Sequence, residues 1–440
     1  MDKSMSQHNL LPTVFVIFGA TGDLMQSKLA PALFRLHQQG LLPKMFQVVG
    51  FARKDLTNEA FQRMVVAMLE KKVKAAKEEL EQFVKYFAYQ QGLFEELSGY
   101  DKLAEFMGRR DKEWKVCANK LFYLAVPPQF YKTLFQNLSK SGLAEPCSPE
   151  EGWTRVIVEK PFGKDFKTAK ELDKLLEKLF KEEQIYRIDH YLGKETVQNI
   201  LAFRFSNSFL QDSWDKKAIE SIVVRLLEKD GVGRRGGFYD GIGALRDVGQ
   251  NHMLQLLALF AMENPGAFDG NTVRQKRAEV LQSIRILKTA DVRKLSMRGQ
   301  YQGYRAEKNI GPNSQTETYF RLKMFIDNPR WDGVPVYLEG GKAMDREIVE
   351  VLITFKHPSP CLCPSEQGKH YKNIVHYRIQ PYEGIDITFW AKKPGPEMVL
   401  EEKSFSFDYP GNSCKLEICG YYHKGMGKKC RPIDSIPEKR

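Results

Sequence analysis

Two hydrophobic periods alternate along the first half of the chain. Residues 13–18 are an apolar, β-branched run, the mark of a buried strand, and the turn Gly19-Ala-Thr-Gly-Asp-Leu24 follows it. From 27 to 39 the period is helical, with Leu29, Leu33 and Leu36 on one side and Gly40 at the end. Residues 46–51 predict a second strand, and 57–103 a helical, charged stretch. A strand at 121–126 stops at Pro127-Pro128, 130–138 reads as a helix, and a strand at 155–158 runs into Glu159-Lys-Pro-Phe-Gly163. A helix is predicted over 166–183. Strands alternating with helices imply a doubly wound, Rossmann-like parallel sheet, an α/β arrangement. After about residue 195 strand-like runs at 221–227, 317–326, 348–356 and 373–380 follow one another with few helices between. They predict an α+β domain around a large, mostly antiparallel sheet. The predicted division is 1–195 and 196–440, with 411–440 an atypical tail.

Composition narrows the class. Of 440 residues, 42% are hydrophobic and 28% charged, which excludes disorder and fibrous repeats. No apolar run approaches the roughly 18 residues of a membrane span. The run at 14–20 is preceded by Asp2 and Lys3, which cancel, has Pro12 at its edge and ends in a glycine turn, so it is not read as a secretory signal. Seven scattered cysteines suit a reducing cytoplasm better than a disulfide framework. Cys361-Leu-Cys363, between His357 and His370, fits no standard zinc spacing, and no metal is expected. The net charge of +12 raises nucleic acid as a partner. Acids interleave with the cations, however, and no RNA- or DNA-binding motif is present. Phosphorylated anions as substrates account for the charge, with no nucleic acid and no membrane as partners.

Four segments carry chemistry. The turn with Gly19 and Gly22 opens a helix whose free N–H groups suit a pyrophosphate, though it departs from the G-x-G-x-x-G pattern. The second strand ends in Arg53-Lys54 where an NAD site would place an acid, which favours a 2′-phosphate and hence NADP. Arg187-Ile-Asp-His-Tyr-Leu-Gly-Lys194 gathers donors for a phosphate monoester in Arg187, His190, Tyr191 and Lys194. Finally, 248–262 predicts a buried helix, apolar nearly all round, with His252 in its first turns. Asp247 and Asn251 crowd His252, and a histidine with a carboxylate on its other nitrogen is a general base for an alcohol proton.

Taken together the chain resembles the glucose-6-phosphate dehydrogenases. The resemblance rests on GATGDLMQSKLAP (19–31), FARKDLT (51–57), VEKPFG (158–163), RIDHYLGKETVQN (187–199), RRGGFYDGIGALRDVGQNHMLQ (234–255), RGQY (298–301), RWDGVP (330–335) and GKAMDR (341–346). It implies a Rossmann-like domain, an α+β domain, and oxidation of glucose 6-phosphate at C1 to 6-phosphogluconolactone with NADP. It implies His252 as general base and Asp189, not Asp247, as the carboxylate that orients it. His190, Tyr191 and Lys194 would clamp the phosphate, and Glu228, Asp247 and Lys342 would hold the sugar. Lys160, before a proline that is cis in the family (Pro161), would touch substrate and cofactor. Gly19, Gly22, Asp23, Arg53 and Tyr131 fall on the dinucleotide site. A homodimer or homotetramer is implied. Three departures stand out. Met25 takes the place of a small residue, Glu347 that of a cation beside Arg346, and 411–440 departs from the family's ending. A catalytically weak NADP- or phosphosugar-binding regulatory protein and a dehydrogenase of another hexose phosphate are the rival readings.

Overall fold

The computed structural model describes residues 11–147, 152–163, 165–360 and 371–409. The described chain divides into two units, one ending at Ile157 and the other beginning at Val158.

A six-stranded sheet has the order β3-β2-β1-β4-β5-β6. Its strands are β1 Thr13–Phe18, β2 Phe46–Ala52, β3 Phe87–Gln91, β4 Asn119–Leu124, β5 Thr154–Val158 and β6 Ile185–Arg187. β1 runs parallel to β2 and β4, and β2 parallel to β3. The predicted strands all form. Two strands are missed: β3, lying inside the stretch expected to be helical, and the three-residue β6. β1 and β2 are buried on both faces, which is why they read as unbroken apolar runs. The helix after β1 opens as a π-helical turn, Met25–Leu29, before Ala30–Gln38 continues as α-helix. Met25 is fully buried there, so the wider turn houses the large side chain where crowding was expected. Cys117 and Cys147 form a disulfide, against the expectation of unbridged cysteines. Thirty residues apart in sequence, they sit just before β4 and before β5, and neighbouring strands bring them together.

The second sheet has eight strands in the order β14-β13-β12-β11-β7-β10-β9-β8. They are β7 Ile219–Leu227, β8 Ser296–Gly299, β9 Tyr319–Met324, β10 Val336–Gly341, β11 Ile348–Phe355, β12 Ile374–Gln380, β13 Gly384–Lys392 and β14 Leu400–Asp408. β7 and β10 pair in parallel, and every other neighbouring pair of this sheet is antiparallel. Alternation gives one apolar face, with Ile222, Val224, Leu226, Val351, Ile353 and Tyr377 in one core with the helix Leu254–Ala261. The other face carries a charge ladder: Arg225 on β7 meets Glu339 on β10 and Glu350 on β11, and His376 on β12 meets Glu350. No helix among the described residues is long and apolar enough to cross a membrane. Cys361, Cys363, His370 and the 411–440 tail lie outside the described residues.

Candidate functional site

The site grows from three chain reversals and one helix, all after Val158. β5 ends at Val158, and the next turn holds Lys160 and a cis peptide bond to Pro161. β6 ends at Arg187, and a tight turn follows, in which the Leu192 N–H donates to the Asp189 carbonyl and the Lys194 N–H to that of Tyr191. The third reversal follows from register. β7 and β10 are parallel, with Leu227 beside Gly341, so Glu228 and Lys342 leave the same end of adjacent strands. The helix begins as a π-helical stretch, Leu245–Met253, and continues as Leu254–Ala261. Among the described residues only the two helices carrying the nucleotide turn and His252 open in this widened form.

These elements converge on His252, which is 1% exposed. Its Nδ1 lies 2.8 Å from Asp189 Oδ1, and its Nε2 lies 2.7 Å from Lys160 Nζ. Asp189 Oδ1 also accepts from the Tyr191 N–H at 2.9 Å. An ionised Asp189 fixes the proton on Nδ1, which leaves Nε2 as the accepting nitrogen and Lys160 as its donor. Tyr191 stacks on His252 at 4.3 Å between centroids, and the His190 ring stands edge-on to it at 4.6 Å. Lys194 Nζ sits 4.3 Å above the Tyr191 ring. Lys342 Nζ binds Glu228 Oε2 at 2.5 Å and lies 3.9 Å from Asp247 Oδ2. Asp247 Oδ1 is 3.7 Å from Lys160.

Electrostatics divides the roles. Burial lowers the His252 pKa, the Asp189 hydrogen bond raises it and Lys160 lowers it, leaving it below the ordinary value. Burial raises that of Asp189, but the hydrogen bonds from His252 and the Tyr191 N–H lower it, leaving it below the ordinary value and the carboxyl ionised. Burial lowers the Lys160 pKa against the pull of Asp247. His190 keeps an exposed edge, yet desolvation, then His252 and Lys160, hold it toward neutral imidazole. Such a ring donates or accepts a hydrogen bond and adds no charge. Asp189, His190 and His252 present ligand atoms within 4.8 Å of one another, as a metal site would. The Lys160 ammonium on His252 Nε2 opposes a cation there, and no metal is needed to take an alcohol proton.

Most of the residues singled out from sequence meet here: Lys160, Asp189, His190, Tyr191, Lys194, Glu228, Asp247, His252 and Lys342. Two readings are corrected. Asp247 does not partner His252, because its carboxylate turns to Lys160 and Lys342. Arg187 is no phosphate donor, because Glu182 at 2.7 Å and Asp173 at 2.8 Å hold it over the Phe162 ring. Arg346 is exposed. Sequence reasoning missed Tyr239, whose ring lies 5.5 Å from Lys342 Nζ and whose hydroxyl donates to the Glu317 carbonyl. It lies inside the family-like stretch 234–255, and only the fold turns it inward.

In the first unit the glycine turn after β1 closes tightly. Gly19 has φ +80°, its N–H donates to the Phe51 carbonyl at 2.9 Å, and a Cβ would stand 2.5 Å from the Ala125 carbonyl oxygen. Gly22 and Asp23 are exposed at the helix start, and Arg53 and Lys54 are exposed just past β2. Tyr131 is 1% exposed and packs on Phe135, so its ring serves the core.

Residues 16–199 match the family model of the glucose-6-phosphate dehydrogenase NAD binding domain, and 201–424 that of the C-terminal domain. The chain is 42% identical over 405 residues to glucose-6-phosphate 1-dehydrogenase of Aggregatibacter actinomycetemcomitans, spanning 90% of this chain and 81% of that protein. It is 38% identical over 434 residues to the Caenorhabditis elegans enzyme of that name, spanning 94% and 80%. Among solved structures it is similar to a glucose-6-phosphate dehydrogenase in complex with its substrate glucose-6-phosphate, with a TM-score of 0.81 and 36% identity over 94% of this chain and 84% of that one.

Proposed function

The chain belongs to the glucose-6-phosphate dehydrogenase family, and on that premise we propose that it oxidises glucose 6-phosphate at C1 to 6-phosphogluconolactone, with NADP⁺ as acceptor. The observation that carries the reading is the row Asp189–His252–Lys160, a neutral imidazole held by a carboxylate on one nitrogen and an ammonium on the other. Asp189 holds Nδ1–H and will stabilise the imidazolium that forms once Nε2 takes a proton. The C1 hydroxyl displaces Lys160 from Nε2, and Lys160 falls back on Asp247. Glu228, Asp247 and Lys342 take the sugar hydroxyls. His190, Tyr191 and Lys194 hold the phosphate, so binding at one end of the sugar positions the other. Gly19, Gly22 and Asp23 would hold the cofactor pyrophosphate and Arg53 its 2′-phosphate, whereas Tyr131, expected at that site, is buried in the core. The bound nicotinamide supplies the hydride acceptor.

Residues 1–195 are assigned to the dinucleotide, with Lys160 and 189–194 at their end turned to the substrate, and 196–440 to the rest of the substrate site and to assembly. The enzyme works as a cytoplasmic homodimer or homotetramer. Initial rates with NADP⁺ and NAD⁺ against glucose 6-phosphate and other hexose 6-phosphates test the reading. The expected result is a preference for NADP⁺ and for glucose 6-phosphate. A larger kcat/KM with another hexose phosphate would reassign the substrate, and no turnover with any of them would refute the reading.

A further inference from the structure

Asp189 is only half used by the pair just described. Oδ1 accepts from His252 Nδ1–H and from the Tyr191 N–H, while Oδ2 is buried with no hydrogen-bond partner. A buried carboxylate oxygen without a donor is costly, so its surroundings ask for a cation or a bridging water. Asp189 lines a cavity of about 590 Å³ that Arg277, on the helix Gly270–Gln282, lines as well. Arg277 has the complementary defect. Its Nη2 donates to Gln255 Oε1, while its Nε is buried without an acceptor. Burial lowers the Arg277 pKa, and the charge that opposes this is that of Asp189. Gln255 stands three residues after His252 on the same helical run, so the Arg277–Gln255 bond also ties down the element that carries the base.

We infer that Arg277 is a positioning residue for the Asp189–His252 pair. Its guanidinium faces Asp189 Oδ2 across the cavity, keeps that carboxylate ionised and keeps Oδ1 turned to His252. A water between Nε and Oδ2 would satisfy both groups. This rests on the reading of His252 as the base. The charged and titratable groups around the pair are Lys160 from the turn after β5, His190 beside Asp189, Asp247 on the helix of His252, and Arg274 beside Arg277. Arg187, Arg235 and Arg246 line the same cavity, and of all these cations Arg277 is the one with a buried Nε that lacks an acceptor. Removing it stabilises the protonated forms of the pair, so the acid step of the pair moves to higher pH.

The test compares the whole protein with Arg277→Gln, Arg277→Lys and Gln255→Met. The ring nitrogens of His252 are followed by NMR against pH, assigned with His252→Asn, and kcat and KM are measured in parallel. In Arg277→Gln the His252 midpoint should rise by about 0.5 pH unit or more, roughly threefold in proton concentration. On the acid limb kcat should fall by up to about threefold, in step with the midpoint, with KM for the sugar phosphate nearly unchanged, and Arg277→Lys should restore the midpoint. A folded Arg277→Gln with the parental midpoint and kcat overturns the inference. So does one in which KM alone rises, which would make Arg277 a substrate cation. If Arg277→Gln does not fold, Gln255→Met, which frees the guanidinium, must shift the midpoint and kcat in the same direction, and parental values overturn the inference. The NMR arm needs no substrate. A parent that does not oxidise glucose 6-phosphate therefore refutes the functional reading while the midpoint comparison still decides the role of Arg277.

Discussion

At His252 burial and hydrogen bonding pull in opposite directions, and the balance leaves a neutral imidazole. In the proposed mechanism the neutral form is the base, so activity should rise as pH climbs through a depressed pKa and be flat by neutrality. We expect the acid limb of kcat to have its midpoint below about 6.5, the ordinary histidine value. A midpoint above about 7 would mean that burial and Lys160 do not govern the ring. His252→Asn should lower kcat by roughly 10²–10⁴, the usual contribution of a general base, with KM little changed. A loss under about tenfold would assign the residue to packing. At the cofactor end, Arg53→Gln should raise KM for NADP⁺ by roughly tenfold or more, the loss of a charge-assisted phosphate contact, and leave NAD⁺ nearly unaffected. Equal effects on both cofactors would remove Arg53 from the 2′-phosphate. Spacing alone offered Asp247 as the partner of His252, because the two share a helix. The true neighbour, Asp189, arrives 63 residues away by the reversal after β6, and no periodicity reports such a meeting. The family motif reported it. The pairing of Arg277 with Gln255 has no motif of its own and becomes visible only once their orphaned surroundings can be located.

The helix that carries His252 ends in an unusual way. The last carbonyls of an α-helix lack intrahelical donors. Here three consecutive ones accept from buried side chains: Leu259 from Arg204 Nη1 at 2.8 Å, Phe260 from Trp214 Nε1 at 2.8 Å and Ala261 from Trp331 Nε1 at 2.7 Å. Arg204 is 4% exposed and lies against the Phe205 and Trp214 rings. The helix's negative end is what makes a buried cation tolerable there. This cap fixes the end of the helix opposite the base. Trp331→Phe keeps an aromatic ring but removes the donor and part of the buried bulk, so it should cost at least about 1–3 kcal/mol of stability in urea unfolding, the penalty for an orphaned carbonyl with a cavity cost added. A change within about 0.5 kcal/mol, the range of an inert surface substitution, would show that Ala261 finds another donor. Long, strongly patterned elements were legible beforehand, among them β1, β2, β7, β11 and β12. The strands that escaped are of another kind. β3 is a five-residue edge strand between helices, β6 and β8 are only three and four residues long, β14 is an exposed run with Glu401, Glu402 and Lys403, β13 beside it begins at Gly384, and β10 ends in Gly340-Gly341. Their strand state depends on a neighbour's open hydrogen bonds more than on their own pattern. The π-helical start at Leu245–Met253 is equally silent, since an i→i+5 turn leaves an apolar helix pattern nearly intact.

On the scale of the whole chain, charge separates attraction from chemistry. The sequence carries 67 Lys and Arg against 55 Asp and Glu, a net +12, while the proposed substrate and cofactor are both anions. Inside the site the account is close to even, with Lys160, Lys194 and Lys342 facing Asp189, Glu228 and Asp247. The site therefore orients its ligand through short, partly buried contacts, and the surplus positive charge over the rest of the chain acts at longer range. Salt treats the two differently. The Debye length falls to about 10 Å at 0.1 M, which screens the distant cations, whereas contacts of 2.7–2.8 Å such as Lys160–His252 and Asp189–His252 are largely shielded from mobile ions. The expected outcome is that kcat/KM for the sugar phosphate falls by roughly threefold between about 20 mM and 0.2 M NaCl, while kcat holds steady. A matched series with a neutral osmolyte should leave both constants in place. If salt lowers kcat and spares KM, the ions are reaching the Asp189–His252 pair itself, and the pair is more open to solvent than its burial implies. If neither constant moves, the surplus of +12 contributes nothing to capture, and the clamp of His190, Tyr191 and Lys194 binds the phosphate by contact alone.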